Sequence, residues 1–173
     1  MIEETAFETA FSKSQTTPAQ ITDRIREWCA QISPSPLVYV PTQTARGQRA
    51  VCYINCVSYH LQNGGEIISG WIIWEAAHIL EAEHHAVIRT ADGSLYDPTP
   101  PVDGESRLLF LPDAKRTAKI EMRDVLLYRN IVYPNVKTKP KRVPKVVNLT
   151  LQVDVLPIPV MDAKSRAVLI DFW

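Results

Sequence analysis

Three side chains of this 173-residue chain have the types and the order that catalysis by a thiol requires. Cys52 stands near the start of a segment with helical periodicity, and His85 and Asp97 stand on two segments that alternate like strands. A thiol is a strong nucleophile only as thiolate, which a helix N-terminus and a nearby histidine both favour. An acid that orients the histidine completes a triad. We therefore predict Cys52, His85 and Asp97 as the catalytic residues.

The turn between the two strands decides which histidine can meet Asp97. If the turn is a three-residue loop ending in a left-handed Gly93, Asp97 lies opposite Val87 and shares a face of the hairpin with His85. With a two-residue loop, the pairing slips by one residue and His84 takes that face instead. The sequence leaves both registers open.

A helix is expected to present Cys52. From Ala50 to Asn63 apolar residues recur with helical spacing, and Gly64 and Gly65 supply a stop. The apolar stripe consists of Ala50, Ile54, Val57 and Leu61. The opposite face consists of Cys52, Cys56, Tyr59 and Asn63. We expect a sheet on one side of this helix and a cleft on the other.

The flanking segments predict an α+β fold. Thr17-Pro18-Ala19-Gln20 has the pattern of an earlier helix start, and the stripe that follows places Cys29 in the core. The predicted strands are Leu37–Val40, Glu66–Trp74, Leu80–Thr90, Ser94–Asp97, Leu108–Leu111, Val125–Tyr133, Val146–Leu156 and Ala167–Trp173. We expect one domain over residues 1–173, with a core motif at 47–101 and a sheet-completing region at 102–173.

The residues around the predicted triad resemble transglutaminase-like and papain-like cysteine enzymes. In transglutaminases the matching strands read His-Ala-Trp and, after a glycine-containing turn, Asp-Pro-Thr. Here they read His85-Ala86-Val87 and Asp97-Pro98-Thr99. The resemblance implies a nucleophile at the N-terminus of a helix packed on an antiparallel sheet. It also implies that His85 is the base and that Asp97 orients it.

The chain is also similar to a family of bacterial proteins. The shared motifs are Cys52-x-x-Asn55, Gly70-Trp71-x-Ile73-Trp74-Glu75, Glu81-Ala82-Glu83-x-His85-Ala86-Val87 and Asp97-x-Thr99-Pro100. His84 and Cys56 are not fixed in that pattern, which favours Cys52 and His85. The motifs add candidates for substrate contact or support of the triad, each of which also has a structural explanation. These candidates are Asn55, Trp71, Trp74, Glu75 and His84.

The segment before Cys52 departs from the transglutaminase pattern. Those enzymes usually carry a Gly-x-Cys context, whereas here Gly47-Gln48-Arg49-Ala50-Val51 precedes the cysteine. In papain-like enzymes a glutamine upstream of the nucleophile donates to the oxyanion. Gln48 is therefore a candidate for that role, beside the backbone N–H of Cys52.

The composition narrows the range of partners. Lysine plus arginine equals aspartate plus glutamate, at 19 each, so no global charge favours nucleic acid or an anionic membrane. No apolar run reaches the roughly 18 to 20 residues of a membrane span, and the N-terminus lacks the pattern of a secretory signal. Three cysteines in this context predict no disulfide framework. We expect a cytoplasmic enzyme without a cofactor, acting on a protein or peptide-like amide.

Two other functions fit the same residues. Cys52 and Cys56, one helical turn apart, could bind zinc together with His84 or His85. The usual Cys-x2-Cys spacing is absent, and adjacent strand histidines point to opposite faces. The third reading is an inactive papain-like domain that binds a partner. The main hypothesis is acyl transfer through a thioester that water or an amine resolves, as in an amide hydrolase, a deamidase or a transglutaminase.

Overall fold

The computed structural model describes residues 15–42, 52–76, 79–101 and 104–117, together with the strand segments 119–121, 124–128, 131–134 and 153–157. These residues form two helices and nine strands. The helices are α1 (Asp23–Ile32) and α2 (Cys52–Asn63). The strands are β1 (Val38–Pro41), β2 (Glu66–Glu75), β3 (Ile79–Arg89), β4 (Leu95–Tyr96), β5 (Arg107–Pro112), β6 (Lys119–Glu121), β7 (Asp124–Tyr128), β8 (Ile131–Pro134) and β9 (Val153–Pro157). Neither described helix has the length and apolar character of a membrane span.

Helix α1 begins later than the sequence predicts. Its N-cap is Thr22, whose hydroxyl accepts a hydrogen bond from the N–H of Ile25 at 3.3 Å. The predicted start at Thr17 and Pro18 is wrong. The carbonyl of Pro18 instead accepts a hydrogen bond from the hydroxyl of Tyr39 at 2.7 Å, so a contact with β1 holds this segment outside the helix. Local capping patterns cannot reveal such a long-range contact.

The main sheet is antiparallel and curls back on itself. Its strand order is β1-β5-β2-β3-β4, and β8 pairs with a further part of β3. Thr42, after β1, forms a parallel bridge with Asp97, after β4, so the two outer strands of this order meet. The predicted α+β class is confirmed by this sheet and the two helices. The Asp97 side of the bridge is also where the predicted triad lies.

Both helices pack on the same face of the curled sheet. On each strand, the residues that the two helices contact are an even number of positions apart, so their side chains point to the same side. Around α1 the buried cluster contains Ile25, Trp28, Cys29, Ile32, Trp71, Ile73, Leu80, Ala82, Leu109 and Leu111. Around α2 it contains Cys52, Tyr53, Cys56, Val57, Ile67, Ala86 and Ile88. On the other face Val40, Val87 and Phe110 are buried together. The prediction that Cys29 belongs to the core is confirmed.

The face of α2 that carries Cys52 and Cys56 packs on the sheet. Both cysteines are buried, whereas Ile54 and Leu61 of the apolar stripe are only partly buried. Small thiols behave as apolar groups and allow the helix to lie close to β3 at Ala86.

Strands from the C-terminal region enter two sheets. β5 lies between β1 and β2 in the main sheet, and β8 pairs with β3. β6, β7 and β9 form a separate antiparallel sheet. The single strand predicted over Val125–Tyr133 is thus two strands in different sheets. Residues 146–152 of the strand predicted over Val146–Leu156 lie outside the described residues. The strand predicted over Ala167–Trp173 also lies outside them.

Gly70 allows β5 to approach β2 closely. A Cβ atom at this position would lie less than 3.0 Å from the Leu111 carbonyl oxygen, the Phe110 ring and the Pro112 Cα. Across the other edge of β2, Gly70 is paired with His85. The absence of a side chain at Gly70 therefore lets β5 pack closely against the strand residue that pairs with His85.

Candidate active site

The β3–β4 turn has three residues, which is the register that brings His85 to Asp97. The N–H of Thr90 donates to the carbonyl of Ser94 at 2.9 Å, and Gly93 has a left-handed φ of 85°. The strands β3 and β4 pair in the matching register. Of the two registers that the sequence leaves open, the structure has the three-residue one.

Asp92 organises this turn. Its carboxylate accepts hydrogen bonds from the hydroxyls of Thr90 and Ser94 and from the backbone N–H of Ser94. These hydrogen bonds, that of Thr90 first, lower the pKa of Asp92 to about 2. The turn, and with it the register of the hairpin, is therefore stabilised by side chains within five residues of one another.

His85 and Asp97 form a buried pair. The distance from Nε2 of His85 to Oδ2 of Asp97 is 2.9 Å, and the two residues are 5% and 0% exposed. The second carboxylate oxygen, Oδ1, accepts the backbone N–H of Thr99 at 2.8 Å. With Nε2 bound to the carboxylate, Nδ1 is the ring nitrogen left to exchange a proton with Cys52.

The pKa of His85 reflects its two acidic neighbours. Burial of the ring acts to lower this pKa. The negative charges of Cys52 and Asp97, and hydrogen bonds from the ring to both side chains, outweigh burial and hold the pKa of His85 well above its ordinary value. The imidazolium form is therefore favoured when a thiolate and a carboxylate flank the ring, and this is the ion pair that an activated cysteine requires.

Cys52 is the first residue of α2 and reaches His85 at a gap in the sheet. β2 occupies one edge of β3 over almost its whole length, while the other edge pairs with β8 at residues 79–82 and with β4 at residues 88–89. Between these stretches no described strand pairs with that edge. The Tyr53 hydroxyl donates to the His85 carbonyl there, at 3.3 Å. Helix α2 thus takes the place of a strand beside the base.

The other two cysteines have environments that suppress reactivity. Burial, followed by the charges of Cys52 and Asp97, raises the pKa of the Cys56 thiol well above its ordinary value. Burial alone raises the pKa of the Cys29 thiol to about 12. Since the thiolate is the reactive form, both residues are expected to be inert at neutral pH.

Asn55 and Thr99 connect α2 to the loop that carries Asp97. Nδ2 of Asn55 donates to Oγ1 of Thr99 at 3.3 Å, and both residues are 7% exposed. The same Thr99 donates its N–H to Asp97. Asn55, one of the candidates that the sequence motifs suggested, is thus connected to Asp97 through the hydrogen bonds of Thr99.

His84 faces the helices, away from Asp97. Its Nε2 lies 2.8 Å from the carbonyl oxygen of Arg116, its ring is 5.0 Å from that of Trp71, and the Tyr53 hydroxyl is 3.4 Å from its Nδ1. Burial lowers the pKa of His84 to about 4, although the bond to the Arg116 carbonyl acts in the opposite direction. His84 is therefore neutral near pH 7 and donates its Nε2 proton to that carbonyl.

Trp71 belongs to a buried polar network behind His84. Its Nε1 donates to Oδ2 of Asp113 at 2.9 Å, and Arg116 forms an ion pair with the same oxygen at 2.7 Å. Burial acts to raise the pKa of Asp113, but hydrogen bonds from Trp71 and Arg116 give a net lowering. Tyr53, Asp113 and Arg116 belong to none of the sequence motifs, because only the folded chain brings these residues together.

Two further candidates, Trp74 and Glu75, form hydrogen bonds with residues outside the triad. Trp74 donates through Nε1 to Oε2 of Glu83 at 2.7 Å, and Glu75 pairs through its backbone with Thr16. Gln48, the oxyanion candidate, lies outside the described residues.

The described residues form no group of metal ligands, and one open cavity lies away from the triad. Within them, no group of three or more His, Cys, Asp and Glu side chains is arranged to hold a metal ion. An open cavity of about 1230 Å³ is lined by Tyr39, Tyr59, Tyr96 and the turn at residues 90–94. Its lining does not include Cys52 or His85, so its position does not make it the candidate substrate cleft.

Comparisons with known proteins leave the site to be interpreted from its own geometry. Protein-family models, curated proteins and solved structures give no match to this chain. The chemistry of the described residues is therefore the basis for the function of this site.

Proposed function

We propose that this chain is a cysteine-dependent acyl-transfer enzyme with Cys52 as nucleophile, His85 as base and Asp97 as the acid that orients the base. The observation that carries the proposal is the imidazole of His85, which is bound to the buried carboxylate of Asp97 at 2.9 Å and whose pKa is raised by the neighbouring Cys52 and Asp97 side chains. These three residues come from a helix, a strand and the segment after the next strand. A structural histidine needs one such partner, whereas a general base needs both.

In the proposed reaction, His85 alternately accepts and donates a proton at Nδ1. Nδ1 of His85 takes the proton of Cys52, and the thiolate attacks the carbonyl carbon of an amide. When the tetrahedral intermediate collapses, the C–N bond breaks and His85 returns the proton to the leaving amine, which leaves a thioester on Cys52. Water or a second amine then attacks the thioester, again with His85 as base, and Cys52 regains its proton.

The fold proposed for this chemistry is papain- or transglutaminase-like. Its support is the antiparallel sheet with Cys52 at the start of a packed helix, His85 on β3 and Asp97 directly after β4. This is the element order that the sequence motifs imply. Several finer points stay predictions. They are the outcome of the reaction (hydrolysis or transfer to an amine), an amide in a protein or peptide as substrate, a cytoplasmic location, and independence of nucleic acid and membranes.

The test is the pH dependence of Cys52 alkylation by iodoacetamide, mapped to each cysteine by mass spectrometry. A small electrophile suits a thiol that is only 8% exposed. In the wild type we expect fast labelling of Cys52 below pH 7, with Cys29 and Cys56 unlabelled. In His85→Ala we expect labelling to fall to the rate of an ordinary thiol, because the thiolate loses its cation.

The matched control is His60→Ala. His60 lies on the same helix as Cys52, but its Nδ1 is 2.6 Å from the Gly65 carbonyl at the far end. This variant should keep the wild-type labelling rate, and circular dichroism would establish that both variants are folded. Slow labelling that His85→Ala leaves unchanged would refute the triad.

Metal content of the same sample separates the two rival functions. A stoichiometric metal together with an unreactive Cys52 would indicate a zinc site using Cys52, Cys56 and His84 or His85. No metal with an unreactive Cys52 would indicate a binding domain. In the described structure the bond from His84 to the Arg116 carbonyl occupies one of the nitrogens that such a zinc site could use.

A further inference from the structure

We infer that Asn55 and Thr99 are positioning residues, which hold Asp97 in register with Cys52. The inference rests on the proposed function, because it concerns how the triad is held. His85 neighbours Cys52 and binds the carboxylate of Asp97 through Nε2. Thr99 donates its N–H to Asp97, and Asn55 donates its side-chain amide to the Thr99 hydroxyl. Asn55 stands three residues after Cys52 on α2, so the series of contacts closes on the helix where it began.

The first part of the argument is the orientation of the carboxylate. Asp97 uses one oxygen for His85 and the other for the N–H of Thr99, at 2.9 and 2.8 Å. Rotation of the Asp97 carboxylate about the Cβ–Cγ bond would break both hydrogen bonds. The angle at which Asp97 meets the imidazole is therefore set by the position of the Thr99 backbone.

The second part is the anchoring of Thr99. It stands between Pro98 and Pro100, neither of which has an N–H to donate to a neighbouring strand. The Asn55 amide supplies a bond to this segment from α2, over a separation of 44 residues. Because Asn55 and Cys52 are on the same helix, one rigid element then fixes both the nucleophile and the loop of the orienting acid.

The third part is the burial of Asn55. An amide that is 7% exposed is stable only if its polar atoms are bonded, and an apolar residue would satisfy a purely structural position at lower cost. If Asn55 served packing alone, its loss would not change the chemistry of His85. If Asn55 positions the triad, loss of the Asn55–Thr99 hydrogen bond should change the properties of the His85 imidazole.

The experiment compares substitutions that remove or keep the bond. Thr99→Val removes the hydroxyl at nearly constant volume and keeps the N–H that Asp97 accepts, while Thr99→Ser keeps both. Asn55→Ala removes the donor. Its matched control is Asn63→Ala, on the exposed end of the same helix, where the amide donates to the Tyr59 carbonyl one turn earlier.

Two readouts report on the imidazole. The first is the pH profile of Cys52 alkylation, which in Thr99→Val and Asn55→Ala should move to higher pH, with about fivefold slower labelling at pH 7. The second is the downfield proton resonance of the His85 Nε2–H, assigned by its loss in His85→Ala, which should broaden through faster exchange with water. Thr99→Ser and Asn63→Ala should match the wild type in both.

The outcomes separate this inference from the proposed function. If Thr99→Val and Asn55→Ala lower stability but change neither the profile nor the resonance, the two residues are only structural and the inference is wrong. If wild-type Cys52 is unreactive, the proposed function fails. The resonance then still decides whether Asn55 and Thr99 hold the bond between His85 and Asp97.

Discussion

Replacing Asp97 by asparagine keeps the size of the side chain and removes its charge. The replacement also creates a conflict between donors. If the amide oxygen faces Nε2 of His85, the amide NH₂ faces the N–H of Thr99, and two donors meet. If the amide is turned, its NH₂ faces Nε2, and His85 must carry its proton on Nδ1, where it can no longer accept the proton of Cys52.

The size of the effect follows from the geometry of the pair. The carboxylate oxygen and the ring nitrogen are 2.9 Å apart, which places the centres of charge at about 4 Å. At an effective dielectric constant of about 20, that separation corresponds to about 4 kcal/mol, or roughly three orders of magnitude in the population of the charged ring. A neutral hydrogen bond to asparagine would retain about 1 kcal/mol. We therefore expect Asp97→Asn to slow Cys52 alkylation at pH 7 by about 100-fold to 1000-fold.

The assay is the second-order rate of Cys52 alkylation, with urea unfolding of the same preparations. Leaving one buried donor without an acceptor should reduce the free energy of unfolding by about 1 to 3 kcal/mol. Asp113→Asn is the matched control, since Asp113 is equally buried and accepts hydrogen bonds from Trp71 and Arg116. It should lower stability by a similar amount and leave the alkylation rate unchanged.

Two results would refute this reasoning. A folded Asp97→Asn protein that is alkylated within twofold of the wild-type rate would mean that Asp97 does not orient His85. Equal slowing in Asp113→Asn would mean that the rate follows overall stability and not the charge beside the ring.

Three further predictions concern residues around the site. The folded chain holds His84 neutral down to a pKa of about 4, so stability should fall by up to about 3 kcal/mol as the pH drops from about 6.5 to 4, measured by urea unfolding. In His84→Gln this loss should be absent. Gly70→Ala should reduce the free energy of unfolding by at least about 1 to 3 kcal/mol, because β5 must move away. Thr22→Ala should cost about 1 kcal/mol through loss of the α1 N-cap, and Thr22→Ser should retain most of it.

Each of these has a contradicting result. The same acid-induced loss in His84→Gln would assign it to other groups. A Gly70→Ala protein as stable as the wild type would mean that β2 and β5 have room for a methyl group. A neutral Thr22→Ala would mean that α1 is held by packing alone.

The pairing of His85 with Asp97 could be predicted from the sequence because the residues that determine it are close together in the chain. Alternation defines both strands, and a left-handed Gly93 with the Thr90 and Ser94 pair around Asp92 sets the three-residue turn. The whole arrangement spans 13 residues, from 85 to 97. Only the choice between two loop lengths was open, and the hydrogen bonds of the turn decide it.

Other features depend on contacts between distant segments, which local patterns do not contain. The start of α1 moves from Thr17 to Thr22 because Pro18 bonds Tyr39 on β1. The buried face of α2 follows from its docking on β3 and not from its own apolar stripe. The network of Trp71, Asp113 and Arg116 likewise forms only when the segment after β5 reaches α1 and β2.

The position of β5 in the sheet fixes when the site can form. β5 lies between β1 and β2, although the chain reaches it only at Arg107–Pro112, after every residue of the predicted triad has been made. A growing chain can pair His85 with Asp97 as soon as the hairpin emerges. Thr42, however, reaches Asp97 through a sheet that lacks a strand until β5 arrives. We therefore expect the surroundings of Cys52 to be incomplete in a chain that ends before β5, and iodoacetamide should label Cys52 in such a chain no faster than an ordinary thiol.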